Sequence, residues 1–474
     1  TFSVGSGFVL PAAITVTMGG DVLTNGHEYD YDSATGVLNV SGVTGTVQIT
    51  VTGIAVYSLS VAVADQSPYG SVDIVTGSAT GNISGSTVKV IATPAQFYVF
   101  EKWVATDDID AVAESVNAEY EFVIDANTTL YAVFQGDGTF HGPIQINSVA
   151  QMTAFASRVN DGTEPIGRYY ILTADLDLGD QWIPIGTNVT NDAAGGFRGY
   201  FDGGGHTITI NGIGTLEAAD IYYVGIFGYL GEGGLIQNLR AEGSLNITQN
   251  LGEYHIGGIV GRMNNHATIQ NCVGAVDIVA NLDVPHAFAG GIVGFTSTAS
   301  DLVSNCYSTA DVSVINSRTA FAGGIVGFHN FGTVSQCYAT GEIDAQSTIE
   351  TAVSSAGGVV GRSNNGYITN CFALNTGITC SAAIPDNSQI GRIVGSQVGE
   401  MSFLTNNRAI SISGIDTEGG LSANKDGALI SASFAEEMST YQTLASWPFG
   451  YDNPAPWAWN SAIINRPILY WEDI

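Results

Sequence analysis

This chain is poor in charge and poorest in positive charge. Only 12% of its 474 residues are charged, and 13 Lys and Arg stand against 44 Asp and Glu, a formal net charge of −31. Phosphate binding needs a cationic surface, so nucleic acid is excluded as a partner. Partners that are neutral, cationic or bridged by a cation are favoured. Cysteine is scarce, five in all, with no Cys-x-x-Cys and no His at ligand spacing from a Cys. That removes a disulfide framework and a zinc site. No apolar run approaches the length of a membrane span. His-Glu occurs once, at His27-Glu28, without the second His that a zinc peptidase helix carries. No signal peptide or sorting motif is visible, so the sequence reads as a mature or trimmed segment.

What is present is glycine, 60 residues of it, and a repeat. Gly-Gly-Ile-Val-Gly or a close variant ends at Gly228, Gly261, Gly294, Gly327, Gly361 and Gly395, a period of 33 or 34 residues. A fixed period in this range marks a stacked architecture. A second block follows in each period: IQNL, IQNC, VSNC, VSQC, ITNC and LTNN. A third is short and β-rich, as in AVDIVA (275–280) and ADVSVI (310–315). None of these blocks shows helical spacing. Three short strands per period predict one coil of a right-handed parallel β-helix. Stacking puts Asn238, Asn271, Asn305, Gln336, Asn370 and Asn406 in one column, at a corner where amides can bond along the axis. Cys272, Cys306, Cys337 and Cys371 fall in the next, an inward ladder of reduced thiols.

The GG(I/V)VG…(I/V)xNC pattern resembles the GLUG repeats of bacterial surface proteins, which also occur in secreted immunoglobulin A peptidases. The resemblance covers about residues 140–474 and implies a β-solenoid on a cell-surface or secreted protein. Upstream, residues 1–54 alternate polar and apolar in LPAAITVTMGG, YDYDSATGVLNV and VTGTVQITV. They resemble the small immunoglobulin-like repeats of bacterial surface proteins, here as a fragment. Residues 55–135 carry strand-like runs at 59–63, 70–75, 86–94, 98–104, 120–124 and 128–134. The order GSV…GSTVKVIATP…YVFEKW…NTTLYAVF resembles the divergent internalin-type B-repeat. That family has Gly where this chain has Phe97. The solenoid is expected over 136–474. Ser148-Val-Ala-Gln151 and Ser433-Phe-Ala-Glu436 read as capping boxes of two amphipathic helices. These helices are expected to close opposite ends of the coil stack, the second with an aromatic plug of Trp447, Trp457, Trp459 and Trp471.

Three constellations invite chemistry. Asp277, Asp311 and Glu342 share an outward position in successive coils, with Asp344 two residues on. Stacked carboxylates ~4.8 Å apart repel, which suits a weak calcium site; the same column also reads as a solvated face. Phe288 and Phe321 precede the glycine block and Phe295 and Phe328 follow it, so outward rings here could stack on sugars; packing under the loops is the bland alternative. His206, Arg262 and Arg362 are the groups from which a polysaccharide lyase would draw. No catalytic residue or bound cofactor is expected from any of them. The reading is an all-β, non-enzymatic, extracellular adhesin-like bacterial protein, expected as a monomer, that binds a host or environmental glycan or protein. The loops at 281–288, 316–321, 346–355 and 381–389 are its expected binding surface. The alternatives are a carbohydrate-active β-helix enzyme and a structural stalk.

Overall fold

Each period becomes one turn of a parallel solenoid. The computed structural model describes residues 1–186, 196–216, 219–399, 403–415, 424–450, 455–460 and 466–472. In it the repeat builds four ladders of parallel strands. Stack one runs from Phe227–Leu230 through Val260–Met263, Val293–Thr296, Val326–His329 and Val360–Asn364 to Val394–Val398. Stack two holds the second block, nine strands from Ile144–Ile146 to Phe403–Thr405. Stack three starts one residue past each Cys position and runs from Leu176–Asp177 to Ala428–Leu429. Stack four comprises Ile221–Val224, Glu253–Gly257, His286–Gly290, Thr319–Gly323, Ser354–Gly357 and Ser388–Gly391. The expected count was three strands per coil. The glycine block adds the fourth, because it is a corner that ends one stack-four strand and opens the next stack-one strand. At Gly258 and Gly324 a Cβ would strike the carbonyls of Gly291 and Gly358 in the next coil, so the second glycine is a packing requirement.

Inside the tube, Ile259, Ile292, Ile325, Val359 and Ile393 form one column and Ile236, Ile269, Val303, Val334 and Ile368 another, all fully buried. Cys272, Cys306, Cys337 and Cys371 are free and fully buried in this core. Each thiol donates weakly to the carbonyl two residues back, at 3.2 to 3.3 Å. Burial pushes Cys306, Cys337 and Cys371 well above the ordinary thiol range. The residue before each Cys turns the corner in the left-handed region, with φ of 52 to 57° from Asn238 through Asn271, Asn305, Gln336 and Asn370 to Asn406. Asparagine tolerates this conformation better than other side-chain-bearing residues, so the repeat selects Asn for backbone shape as well as for its amide.

The two helices differ from each other. Helix α1, Val149–Asn160, is capped by Ser148, whose hydroxyl accepts from the Gln151 amide at 3.3 Å. Gln151 returns a bond to the Asn147 N–H at 2.9 Å. Met152, Phe155, Ala156 and Val159 join the core at the first coil, with Phe155 4.3 Å from Tyr170 and 5.3 Å from Phe197 between ring centroids. The expected second capping box does not form. Phe434–Glu436 is a single 3-10 turn, and α2, Met438–Ala445, begins after Glu437 without a side-chain cap. Nor does α2 plug the far end. Arg392 is fully buried in the last coil, its backbone N–H bonded to Asp426 at 3.1 Å and its guanidinium reaching the Gly427 carbonyl at 3.4 Å. Arg392 occupies the second-glycine position, and among the described residues no further glycine corner follows.

The chain divides into two compact units, Thr1–Asp137 and Gly138–Ile474. In the first, Thr15–Met18 pairs antiparallel with Asp21–Val22 and Val47–Thr50 around Ile14, Val16, Tyr29 and Tyr31. Ser86–Pro94 pairs with Gly70–Thr76 and Glu119–Ile124, while Tyr98–Val104 pairs with Thr128–Gly136, around a fully buried Trp103. Phe97 takes the turn with φ of 69°.

Candidate functional site

The four phenylalanines do meet, but on one another. Phe288 and Phe321 stack at 5.1 Å, and Phe328 stands edge-on to Phe288 at 5.1 Å and to Phe295 at 5.2 Å. Stacks four and one face each other here across the glycine corner, and the rings fill the angle between them. Phe288 is 4% exposed and Phe321 2%, while Phe295 and Phe328 are half-buried. Arg262 lies 5.3 Å from the Phe295 ring and Arg362 5.0 Å from Phe321. His255 stacks on Phe295 at 4.6 Å and bonds Glu253 at 2.6 Å. The ring faces are taken up by neighbours and by guanidinium planes, the packing role that the sequence offers beside a sugar platform. Arg262 and Arg362 serve this packing. His206 sits in an early coil beside Asp175, 3.2 Å away.

The acidic column is also re-read. Ile278, Val312 and Ile343 point inward and Asp277, Asp311 and Glu342 outward. Asp277 accepts the backbone N–H of Asp311 at 2.9 Å, and Asp311 accepts that of Glu342 at 2.7 Å. Asp344 accepts from Gln346 at 2.8 Å and Thr379 at 2.5 Å. Asp277 and Asp311 thus each cap a backbone amide of the next coil where stack three is interrupted, and these N–H dipoles relieve the repulsion. Among the described residues no group of three or more His, Cys, Asp or Glu is placed to hold a metal ion.

The feature with a cavity lies elsewhere, between stacks two and three. The residue after each Cys, Val273, Tyr307, Tyr338 and Phe372, points out of the tube and is nevertheless buried. Its cover is the C-terminal segment. Ala435, Tyr441, Trp447, Trp457 and Leu469 pack on this column. Trp447 stacks on Trp457 at 4.4 Å and meets Phe372 edge-on at 5.4 Å. The Trp447 and Trp471 indoles donate to the carbonyls of Asn370 at 2.9 Å and Asn271 at 3.3 Å, two of the left-handed corners. At the end of this strap Tyr307 donates to Glu472 at 2.6 Å, with Arg240 3.4 Å from the same oxygen. Burial raises the Glu472 pKa. Those two latches hold the strap across the asparagine corner.

Between the latches the strap leaves a cavity of about 410 Å³. Its floor is the amide wall, Gln237, Gln270, Asn271, Asn305 and Gln336 among it, and its rim is Pro448, Pro456 and Tyr470. A second cavity of about 410 Å³ shares Gln237 and adds Asp202, Tyr200, Tyr169 and Phe140. Tyr169 and Tyr200 stack at 4.2 Å, so they present edges outward rather than a flat face. The sequence reading placed the binding surface in the loops between stacks three and four. Two signals in the sequence point to this covered wall: a bulky residue after every repeat Cys, which needs a cover, and four tryptophans near the C-terminus to supply it.

Comparison with known proteins adds a module and a fold likeness. Residues 62–138 match the divergent InlB B-repeat domain. Halomucin of Haloquadratum walsbyi is 29% identical over 37% of this chain, which spans 2% of that protein. A provisionally named Gly-rich membrane protein of Evansella cellulosilytica is 30% identical over 27% of this chain, which spans 14% of it. Among solved structures, a Bacteroides ovatus protein provisionally named an immunoglobulin A1 protease covers 70% of this chain and 94% of its own, at 21% identity and a TM-score of 0.47.

Proposed function

We propose that this is an extracellular, non-enzymatic surface protein of adhesin type, with the GLUG-like solenoid as its ligand-binding part. Support comes from the B-repeat match in residues 62–138 and from a Gly-rich membrane protein among the relatives. No helix among the described residues is long and apolar enough to cross a membrane. The observation that carries the binding role is the strap-roofed cavity of about 410 Å³ on the amide wall. A volume of this order suits a small ligand or one segment of a longer one. The test is an array of glycans and extracellular-matrix proteins probed with the full 474-residue chain. Saturable binding to any of them supports the reading. No binding to all of them overturns it in favour of a structural stalk.

A second reading, a carbohydrate-active enzyme, draws on one place. Glu472 is a buried carboxyl with a raised pKa, and Glu242 is a second carboxyl on the same Arg240, 3.4 Å away. Glycosidases use two carboxyls of unlike character. Release of reducing sugar from a polysaccharide panel, lost in Glu472→Gln, would establish it.

A further inference from the structure

We propose that the amide wall under the strap binds a neutral oligosaccharide, laid along the solenoid axis. This rests on the ligand-binding reading above. The amide bonds on the first coils of the wall all run one way. Gln237 and Asn238 both donate to the Asp202 carboxylate, at 2.8 and 3.0 Å. Gln270 then donates to Gln237 at 2.9 Å and Asn271 to Asn238 at 3.4 Å. Two amide chains thus begin at one carboxylate, and every N–H₂ in them points back towards it. What each chain offers at its far end is a carbonyl oxygen.

Asn271 Oδ1 and Asn305 Oδ1 are buried and make no hydrogen bond among the described residues. Both side chains line the cavity. The wall therefore meets the cavity with amides, which both donate and accept, and suits a ligand whose groups do the same. A cation is the poorer match. Asp202 is the one carboxylate lining the two cavities, and it is already bonded by two side-chain amides and by the Gly204 N–H at 2.9 Å. A peptide strand is also poorer. Its donors and acceptors are fixed in direction along the backbone. A hydroxyl both donates and accepts and rotates to suit.

Spacing and shape agree with a sugar chain. Successive amides repeat at the coil rise, ~4.8 Å, about one sugar unit of an extended chain. The rim residues Pro448, Pro456 and Tyr470 give apolar faces for ring C–H groups. Past Asp202 the neighbouring cavity continues the path to Tyr200 and Tyr169.

The test is calorimetric titration of the full chain with neutral hexasaccharides (cello-, xylo- and mannohexaose), their monosaccharides, hexagalacturonate and a Gly-Ser peptide. The paired variants are Asn271→Gly and Asn305→Gly, together and singly. Glycine keeps the left-handed corner and removes the amide, so the fold is retained. Gln389→Ala on stack four, an exposed site, is the control. The expected result is saturable binding of at least one neutral hexasaccharide, at least tenfold weaker binding of its monosaccharide, and at least tenfold loss in the double variant at unchanged melting temperature. Three results overturn the proposal: no neutral hexasaccharide binds, the peptide or the acidic sugar binds best, or the double variant binds as well as the control. If the proposal fails while a matrix protein or another glycan on the array still binds, the adhesin reading survives. If the array is blank, that reading fails with it.

Discussion

Helices α1 and α2 look alike in sequence and do different work. Each follows a Ser-x-x-Glu/Gln signature and carries apolar residues at helical spacing. Helix α1 closes the end of the tube, with Phe155 against Tyr170 and Phe197 of the first coils. Helix α2 lies on the side of the tube, with Tyr441 4.4 Å from Phe372. The difference is set by what each helix finds to cover. The first coil exposes its interior. The last glycine-block corner, at Arg392, is covered by residues 425–427, while the outer column Tyr307, Tyr338 and Phe372 would otherwise face water. Amphipathicity shows that a helix must cover something and leaves open what.

The largest way to break this comparison is to delete residues 430–474. The expected result is aggregation through the uncovered aromatic column, and a loss at least twice the ~3–5 kcal/mol of one large buried aromatic, since Trp447 and Trp457 both go. Dynamic light scattering and thermal melting check it; a monomer with unchanged melting would show that the strap covers nothing. Next comes Phe155→Ala, expected to cost about 3–5 kcal/mol in chemical denaturation, because a fully buried ring leaves a void in the end cap.

Acid separates tube from strap. His329 is fully buried and its pKa is lowered to about 4, with burial the largest cause. Its neutral form is the one that folds. Unfolded chains take up the proton first, so stability falls as pH drops from about 6.5 towards 4, by about 3 kcal/mol when complete. Glu472 has the opposite sign: its folded pKa is raised, so its contribution is present at low pH and is lost as pH rises through that pKa. His329→Gln should flatten the acid limb of a stability–pH curve measured by denaturant titration. Glu472→Gln should leave that limb in place.

A smaller contrast lies at the helix starts. Ser148→Ala removes a cap bond and should cost about 1 kcal/mol. Glu437→Ala should stay within about 0.5 kcal/mol, because α2 has no side-chain cap to lose. The smallest effect belongs to the acidic column: 2 mM calcium against chelator should leave the melting temperature unchanged. A calcium shift abolished by Asp311→Asn would restore the metal reading.

Much of the fold was legible because the solenoid is written in periods. The inward Cys column, the Asn corner and the strand runs of residues 59–134 all follow from local pattern. The four-stack count was missed because Gly-Gly is a bend inside an apolar block, and no periodicity shows a bend. Packing of Phe288 and Phe321 was legible but not what they pack on, because alternation places them outside, while the fold sets a second outside face against them. The amide wall was half visible. Asn and Gln were in register, but the cavity needs a strap more than 100 residues downstream of Asn305. Long-range cover of this kind has no local signature beyond an outward column of Tyr and Phe that lacks a partner.

The C-terminal strap lies along the wall only if Glu472 meets Tyr307, and a double-mutant cycle reads that contact directly. Tyr307 and Glu472 are 165 positions apart in sequence and bonded at 2.6 Å. Tyr307→Phe and Glu472→Gln, singly and together, should give a coupling energy of about 1 kcal/mol in denaturant unfolding at neutral pH. A strap along the wall predicts that coupling. Additivity within error would place the C-terminus elsewhere and contradict it.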